Sequence, residues 1–145
     1  MNADRILVRL PNWTGDMVMA TPALRALRSG FPGAQITAHV RESLVPLLEG
    51  SPHCDEILPL RSWKRGALAT WREGRALAER NFDLGICFPD SWSSAGLMRA
   101  AGIPVVAGYR RAFREVLLQR AITPLAEWGA KREVARERYL LHLVE

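Results

Sequence analysis

The stretch Arg5-Ile6-Leu7-Val8-Arg9-Leu10-Pro11-Asn12-Trp13-Thr14-Gly15-Asp16 decides the fold. Arg5–Leu10 is an apolar run broken only by Arg9, of strand length. Pro11 ends it, because proline brings no N–H to a ladder. Asn12–Gly15 form a loop, and Asp16 then opens a helical stretch. In it Met17, Ala20, Leu24 and Leu27 share one face, with Arg25 and Arg28 opposite. Pro22 falls in the first turns, where proline costs least, and Gly30 and Pro32 stop the helix.

The same alternation continues outward from this unit. Ala34–Val40 alternates strictly, with Ala34, Ile36, Ala38 and Val40 against Gln35, Thr37 and His39. This predicts a strand with one better-solvated face, towards a sheet edge. Glu42–Glu49 reads as a short helix, Asp55–Pro59 as a brief strand and Ala67–Arg80 as a longer helix. Asp83–Phe88 is continuously apolar, as expected of a strand covered on both faces. Ser91–Ala101 is a helix, Pro104–Ala107 a last strand, and roughly 131–144 a closing helix with Val134, Arg138, Leu141 and Val144 at helical spacing.

Strands that alternate with helices predict an α/β fold, a doubly wound parallel sheet of Rossmann-like type. The 145 residues suffice for one domain with a core and are too few for two. In such sheets ligands bind outside the carboxyl ends of the strands, so the informative loops are those that follow the strands.

Four of these loops carry candidate chemistry. In the first, Gly15 lets backbone approach a ligand and Asp16 sits at a helix start beside the crevice. Asp16 has two compatible roles, a helix cap and a general base that takes a proton from a sugar hydroxyl. The loop after the third strand holds Arg61, Lys64 and Arg65 around Trp63. Such cations either bind phosphate and carboxylate oxygens or form a solvated loop. Asp90 and Ser91 open the helix after the fourth strand, where Ser91 is suited to capping and Trp92 either packs or stacks on a sugar. Arg110, Arg111 and Arg114 follow the fifth strand. Two cationic loops at one sheet edge would make a pocket for a multiply anionic acceptor.

Composition narrows the choice of partner. The formal charge of +5 comes almost wholly from arginine and favours anionic partners. The fingerprints G-x-G-x-x-G and Walker A are absent, and the histidines are scattered with no Cys-x-x-Cys, so no metal site is expected. Two cysteines make no disulfide framework, and Ile6-Leu7-Val8 is too short for a signal or membrane-spanning segment. A cytoplasmic protein is the expectation, and no nucleic-acid motif appears.

The run from Arg5 to Pro22, with its Trp13-Thr14-Gly15-Asp16-Met17 element, resembles the opening of glycosyltransferase family 9, the ADP-heptose:lipopolysaccharide heptosyltransferases, in particular the heptosyltransferase II branch. Phe82-Asp83-Leu84, Pro89–Ala95, Gly108-Tyr109-Arg110 and Glu137-Arg138-Tyr139 match in the same order. The resemblance implies the N-terminal half of a GT-B enzyme that transfers heptose from ADP-heptose to the lipopolysaccharide inner core, with inversion and without a metal or other cofactor.

Residues 1–145 would then be the acceptor-binding domain, with the C-terminal donor-binding domain absent from this chain and the chain inactive alone. Asp16 would be the catalytic base. Asn12, Trp13, Thr14, Gly15, Arg61, Lys64, Arg65, Asp90, Ser91, Arg110, Arg111 and Arg114 would bind the acceptor, with the cytoplasmic face of the inner membrane a further partner. The alternative is a non-catalytic module that binds an anionic glycan or a membrane surface. An apolar docking face for the missing domain is expected at Trp128 and Tyr139–Val144.

Overall fold

The computed structural model describes residues 2–60, 66–128 and 134–145. Six parallel strands form one sheet: β1 (Arg5–Arg9), β2 (Gln35–Arg41), β3 (Glu56–Leu60), β4 (Leu84–Cys87), β5 (Val105–Tyr109) and β6 (Arg120–Ile122). Their order, β3-β2-β1-β4-β5-β6, is that of a doubly wound sheet and puts the topological switch point between β1 and β4. The helices are α1 (Thr14–Met19), α2 (Thr21–Gly30), α3 (Ala67–Leu77), α4 (Trp92–Ala100) and α5 (Arg136–His142).

Two apolar layers cover the sheet. Ile6, Val8, Ile36 and Ile86 pack with Met17, Leu24 and Leu27 and with Tyr139 and Leu140 of α5. On the other face Leu7, Cys87 and Val106 pack with Leu77 of α3 and with Ala95, Leu97 and Met98 of α4. Burial pushes the Cys87 thiol up to about 11, so it remains a protonated core residue. Asp83 Oδ2 accepts from the N–H groups of Asp4 and Arg5 at 3.0 and 2.9 Å, which fixes the start of β4 beside the start of β1.

Several sequence expectations are corrected. The first helix begins at Thr14, before Asp16, and it is broken at Ala20. Pro22 has no N–H for the carbonyl of Val18, so the helix restarts as α2 with proline in its first turn. The β2 strand is not half-solvated, since Thr37 and His39 are buried with only the end residues exposed to any degree. α3 covers that face, and Glu73 reaches His39 Nε2 at 3.5 Å. β6 went unread, and the closing helix is confined to Arg136–His142 among the described residues. Trp128, Tyr139, Leu140 and Leu143 are core residues, not an exposed docking face.

The contact between α3 and α4 depends on Gly74. A Cβ there would lie 2.5 Å from the carbonyl oxygen of Leu97 and 2.6 Å from Ala100 Cβ. Gly74→Ala is therefore expected to cost about 1–3 kcal/mol through overpacking. Gly96→Ala, where the added carbon meets nothing within 4 Å, should be neutral or slightly stabilising. Urea denaturation of the two variants checks the contrast.

Candidate active site

The site is built at the carboxyl end of the sheet, where the loops after β1 and β4 diverge to opposite faces. Two buried arginines hold these loops. Arg9, the last residue of β1, is 4% exposed, and its Nη1 donates to the carbonyls of Leu10 and His39 at 2.6 and 3.3 Å. Its Nη2 donates to Asn12 Oδ1 in a short bond. Burial lowers the Arg9 pKa to about 10, which still leaves it charged at neutral pH. The guanidinium thus fixes the entry to the 10–13 turn and places a positive charge beneath it. A cavity of about 30 Å³ beside it, lined by polar Asn12, Ser91, Ser93 and Ser94 among others, joins the two loops.

Arg114 performs the same task on the other side. Its side chain is wholly buried: Nε donates to the Tyr109 carbonyl at 2.9 Å, and Nη1 to the carbonyls of Pro89 and Ser91 at 2.8 and 2.9 Å. Nη2 lies 3.8 Å from Asp90 Oδ1. Gly108 makes room for it, since a Cβ there would come within 2.8 Å of Nη2. In this arrangement Arg114 is a positioning residue that does not reach the surface, which corrects its expected contact with an acceptor.

Asp90 is likewise largely enclosed, its side chain 9% exposed. Oδ2 accepts from Tyr139 Oη at 2.8 Å and from Arg111 Nη1 at 3.4 Å. Ser91 is the N-cap of α4, accepting from Ser94 N–H at 3.2 Å, so the capping role is the one it fills.

Asp16 stands in the first turn of α1, but the N-cap position belongs to Trp13, whose side chain makes no cap bond. The carboxylate is 30% exposed, and Oδ1 lies 3.7 Å from Arg136 Nε of α5. Arg136 in turn lies over the Tyr139 ring, 5.0 Å from its centroid. The Tyr139 ring stacks on Tyr109 at 4.1 Å, and Tyr109 Oη donates to the Tyr139 carbonyl at 2.6 Å. A continuous path therefore runs from Asp16 through Arg136 and Tyr139 to Asp90, Arg111 and Arg114. It couples the loops after β1, β4 and β5 through the last helix.

Thr14 and Gly15 are exposed beside Asp16, as is Trp13. A Cβ on Gly15 would meet nothing within 4 Å, so no packing within the fold demands glycine there. Arg110 and Arg111 are exposed at the end of β5. The structure thus groups Asn12–Asp16, Asp90, Ser91, Arg110 and Arg111 at one sheet edge, and Arg114 lies below them. Arg61, Lys64 and Arg65 lie outside the described residues. No cluster of three or more His, Cys, Asp or Glu with metal-holding geometry occurs among the described residues, and no helix there is long and apolar enough to cross a membrane.

Sequence reasoning missed Arg9, Tyr109, Arg136 and Tyr139 as site-building groups. A charged residue at the end of an apolar strand was the available signal for Arg9. The others act through contacts between distant parts of the chain: Tyr109 and Tyr139 stand in segments that resemble the family, but nothing local marks their contact with each other or with Asp90.

His39 adds a pH dependence below the site. Burial pushes its pKa below 6.5 and outweighs the opposing effect of Glu73. The unfolded chain therefore binds the proton more readily than the folded one. Stability from this group is fully present above about pH 6.5 and declines as pH falls towards the lower folded value. Urea titrations between about pH 8 and pH 5 should show that decline, and His39→Gln should flatten it.

A doubly wound sheet with a carboxylate and cations along its carboxyl edge belongs to a large class of α/β domains, and comparison narrows the class. The family model for glycosyltransferase family 9 (heptosyltransferase) matches residues 70–144, and the chain belongs to this family. Lipopolysaccharide heptosyltransferase 2 of Escherichia coli K12 is 34% identical over 117 residues, covering 79% of this chain and 33% of that protein. The Salmonella typhimurium heptosyltransferase 2 is 34% identical over 120 residues, covering 81% and 34%. The chain thus spans about a third of the length of these relatives.

The solved structure of the E. coli ADP-heptose LPS heptosyltransferase II superposes with a TM-score of 0.78 at 27% identity, over 97% of this chain and 40% of that one. E. coli heptosyltransferase WaaC with ADP shares the fold, with a TM-score of 0.74 at 18% identity, over 97% and 46% of the two chains.

Proposed function

We propose that this chain forms the acceptor side of a heptosyltransferase cleft, with Asp16 as the general base. The observation that carries the proposal is the position of Asp16. It is a part-exposed carboxylate at the switch point of a doubly wound sheet, paired with part-exposed Arg136. The family match begins at residue 70, so the role of Asp16 is supported by this geometry rather than by the matched segment.

In the proposed reaction an acceptor hydroxyl rests near Asp16, which takes its proton as the oxygen attacks the anomeric carbon of ADP-heptose. The bond to ADP breaks on the opposite side, inverting the centre. Arg110 and Arg111 would draw in the anionic groups of a lipopolysaccharide inner core, and Asn12–Gly15 would bring backbone against the sugar. The donor would be held by a second domain that faces this edge and is not part of these residues. The site would work at the cytoplasmic face of the inner membrane.

Binding tests the acceptor side by itself. Titration of the isotopically labelled chain with inner-core oligosaccharide should shift amide signals of 12–16, 91–94 and 110–111. Shifts confined to another face, or none at millimolar sugar, would remove the acceptor reading.

A further inference from the structure

Among the described residues, five of the nine large apolar side chains left in solvent belong to α3, the start of α4 and the segment after β5, next to the proposed site. Leu68 and Trp71 in the first half of α3 are 60% and 55% exposed, and Trp92 at the start of α4 is 48% exposed. Phe113 and Val116, between β5 and β6, are 81% and 75% exposed. An apolar groove of about 650 Å³ joins these elements, with Ala67, Trp71, Trp92, Gly96 and Leu117 among its walls. Single exposed apolar residues are ordinary on a protein surface, whereas a contiguous group drawn from three elements marks a contact surface.

The turn that carries Phe113 is held against its own conformational preference. Ala112 and Phe113 both have positive φ, 49° and 60°, in the left-handed region that L-residues rarely adopt. Trp92 Nε1 donates to the Ala112 carbonyl at 2.9 Å, and buried Arg114 anchors the chain directly afterwards. The strained backbone is thus pinned on both sides while the phenyl ring stays in water. Strain that is retained by surrounding contacts points to use of the group it displays.

Charge indicates what meets this surface. Leu68, Trp71, Arg72 and Arg75 fall at i, i+3, i+4 and i+7 of α3, so the apolar turn continues into two exposed arginines on the same helix face. Arg110 and Arg111, also exposed, precede the Phe113 turn. Of the acids near the apolar tips, Glu73 lies towards His39, Asp90 towards Tyr139 and Arg111, and Glu115 is half-buried, while exposed Glu79 follows Arg75 at the far end of the helix. Aromatic and aliphatic tips rimmed by arginine complement the interface of an anionic bilayer, where the tips enter the headgroup region and the guanidinium groups meet phosphates.

We propose that Leu68, Trp71, Trp92, Phe113 and Val116, with the arginines beside them, form a docking surface for anionic phospholipid bilayers. It deepens the glycolipid-acceptor reading by placing the crevice at the membrane surface, yet its test involves no sugar transfer. The chain is mixed with vesicles of equal parts phosphatidylglycerol and phosphatidylethanolamine, or of phosphatidylcholine alone, and floated on a density gradient.

The wild-type chain should float with the anionic vesicles at least about tenfold more than with phosphatidylcholine, and less so in high salt. Trp71→Ser combined with Phe113→Asn, chosen because asparagine tolerates positive φ, should lower flotation about tenfold with an unchanged thermal transition. Asp16→Asn should float like wild type, so loss of the catalytic reading would leave this result standing. Equal flotation with both vesicle types, or wild-type flotation by the folded double variant, would overturn the proposal. So would a wild-type dimer in sedimentation that the double variant disperses, because the patch would then be an interface between copies.

Discussion

Replacing Arg114 with methionine is expected to destabilise the fold by about 3–5 kcal/mol, the range for removing one partner from a buried charged network. The side chain has no solvent exposure and gives three bonds to backbone carbonyls, those of Tyr109, Pro89 and Ser91. Methionine fills much of the space but leaves those oxygens without these donors, in a region from which water is largely excluded. Asp90 would also lose a nearby positive charge, with Tyr139 and Arg111 still bound to it. Arg111→Ala is the matched comparison. Its guanidinium is 60% exposed and reaches Asp90 at 3.4 Å, so its loss should cost no more than about 1 kcal/mol. Urea denaturation measures both. Similar costs for the two variants would show that the loops after β4 and β5 are held by something other than Arg114.

On the proposed role of Asp16, Asp16→Asn in this chain joined to a donor domain is expected to lower heptosyl transfer by about 10²–10⁴-fold, the contribution of a positioned general base. Asparagine retains the size of aspartate and can still place an oxygen near Arg136, so folding should change little. What it would remove is the proposed acceptance of the hydroxyl proton. The effect should fall on kcat, because a neutral hydroxyl needs no base in order to bind. Arg136 lies 3.7 Å from the carboxylate and directs it, so Arg136→Lys should retain more activity than Arg136→Gln.

The topology was legible because it depends on local pattern. Apolar Arg5–Leu10 and Asp83–Phe88, separated by helical spacings and stopped by Gly and Pro, define strands and helices without long-range information. The carboxyl-edge loops follow from that order, so the sequence alone puts Asp16, Asp90 and Arg110 on one edge of the sheet. Burial of polar groups was not legible. Thr37 and His39 alternate with apolar neighbours as if solvated, yet α3 closes over them and supplies Glu73. Arg114 looks like its exposed neighbours Arg110 and Arg111, and only the fold turns it inward onto three carbonyls.

β6 has three residues, Arg120–Ile122, too few for a period to register. Tyr139 and Leu140 read as spare apolar surface because the layer they fill is assembled from β1, α2 and β5, far away in sequence. Arg136 was invisible for the same reason, since its meaning comes from Asp16 at the other end of the chain.

The central claim is that Asp16 is the base of a heptosyl transfer, and one measurement tests it most directly. This chain, joined to the remaining portion of the E. coli heptosyltransferase 2 relative, is given ADP-heptose and a lipopolysaccharide inner-core acceptor, with and without Asp16→Asn. The account predicts transfer by the parent and a rate at least about a hundredfold lower in a variant with the same thermal transition and acceptor affinity. Transfer by the variant at the parent's rate would contradict it, leaving Asp16 as no more than a first-turn carboxylate paired with Arg136.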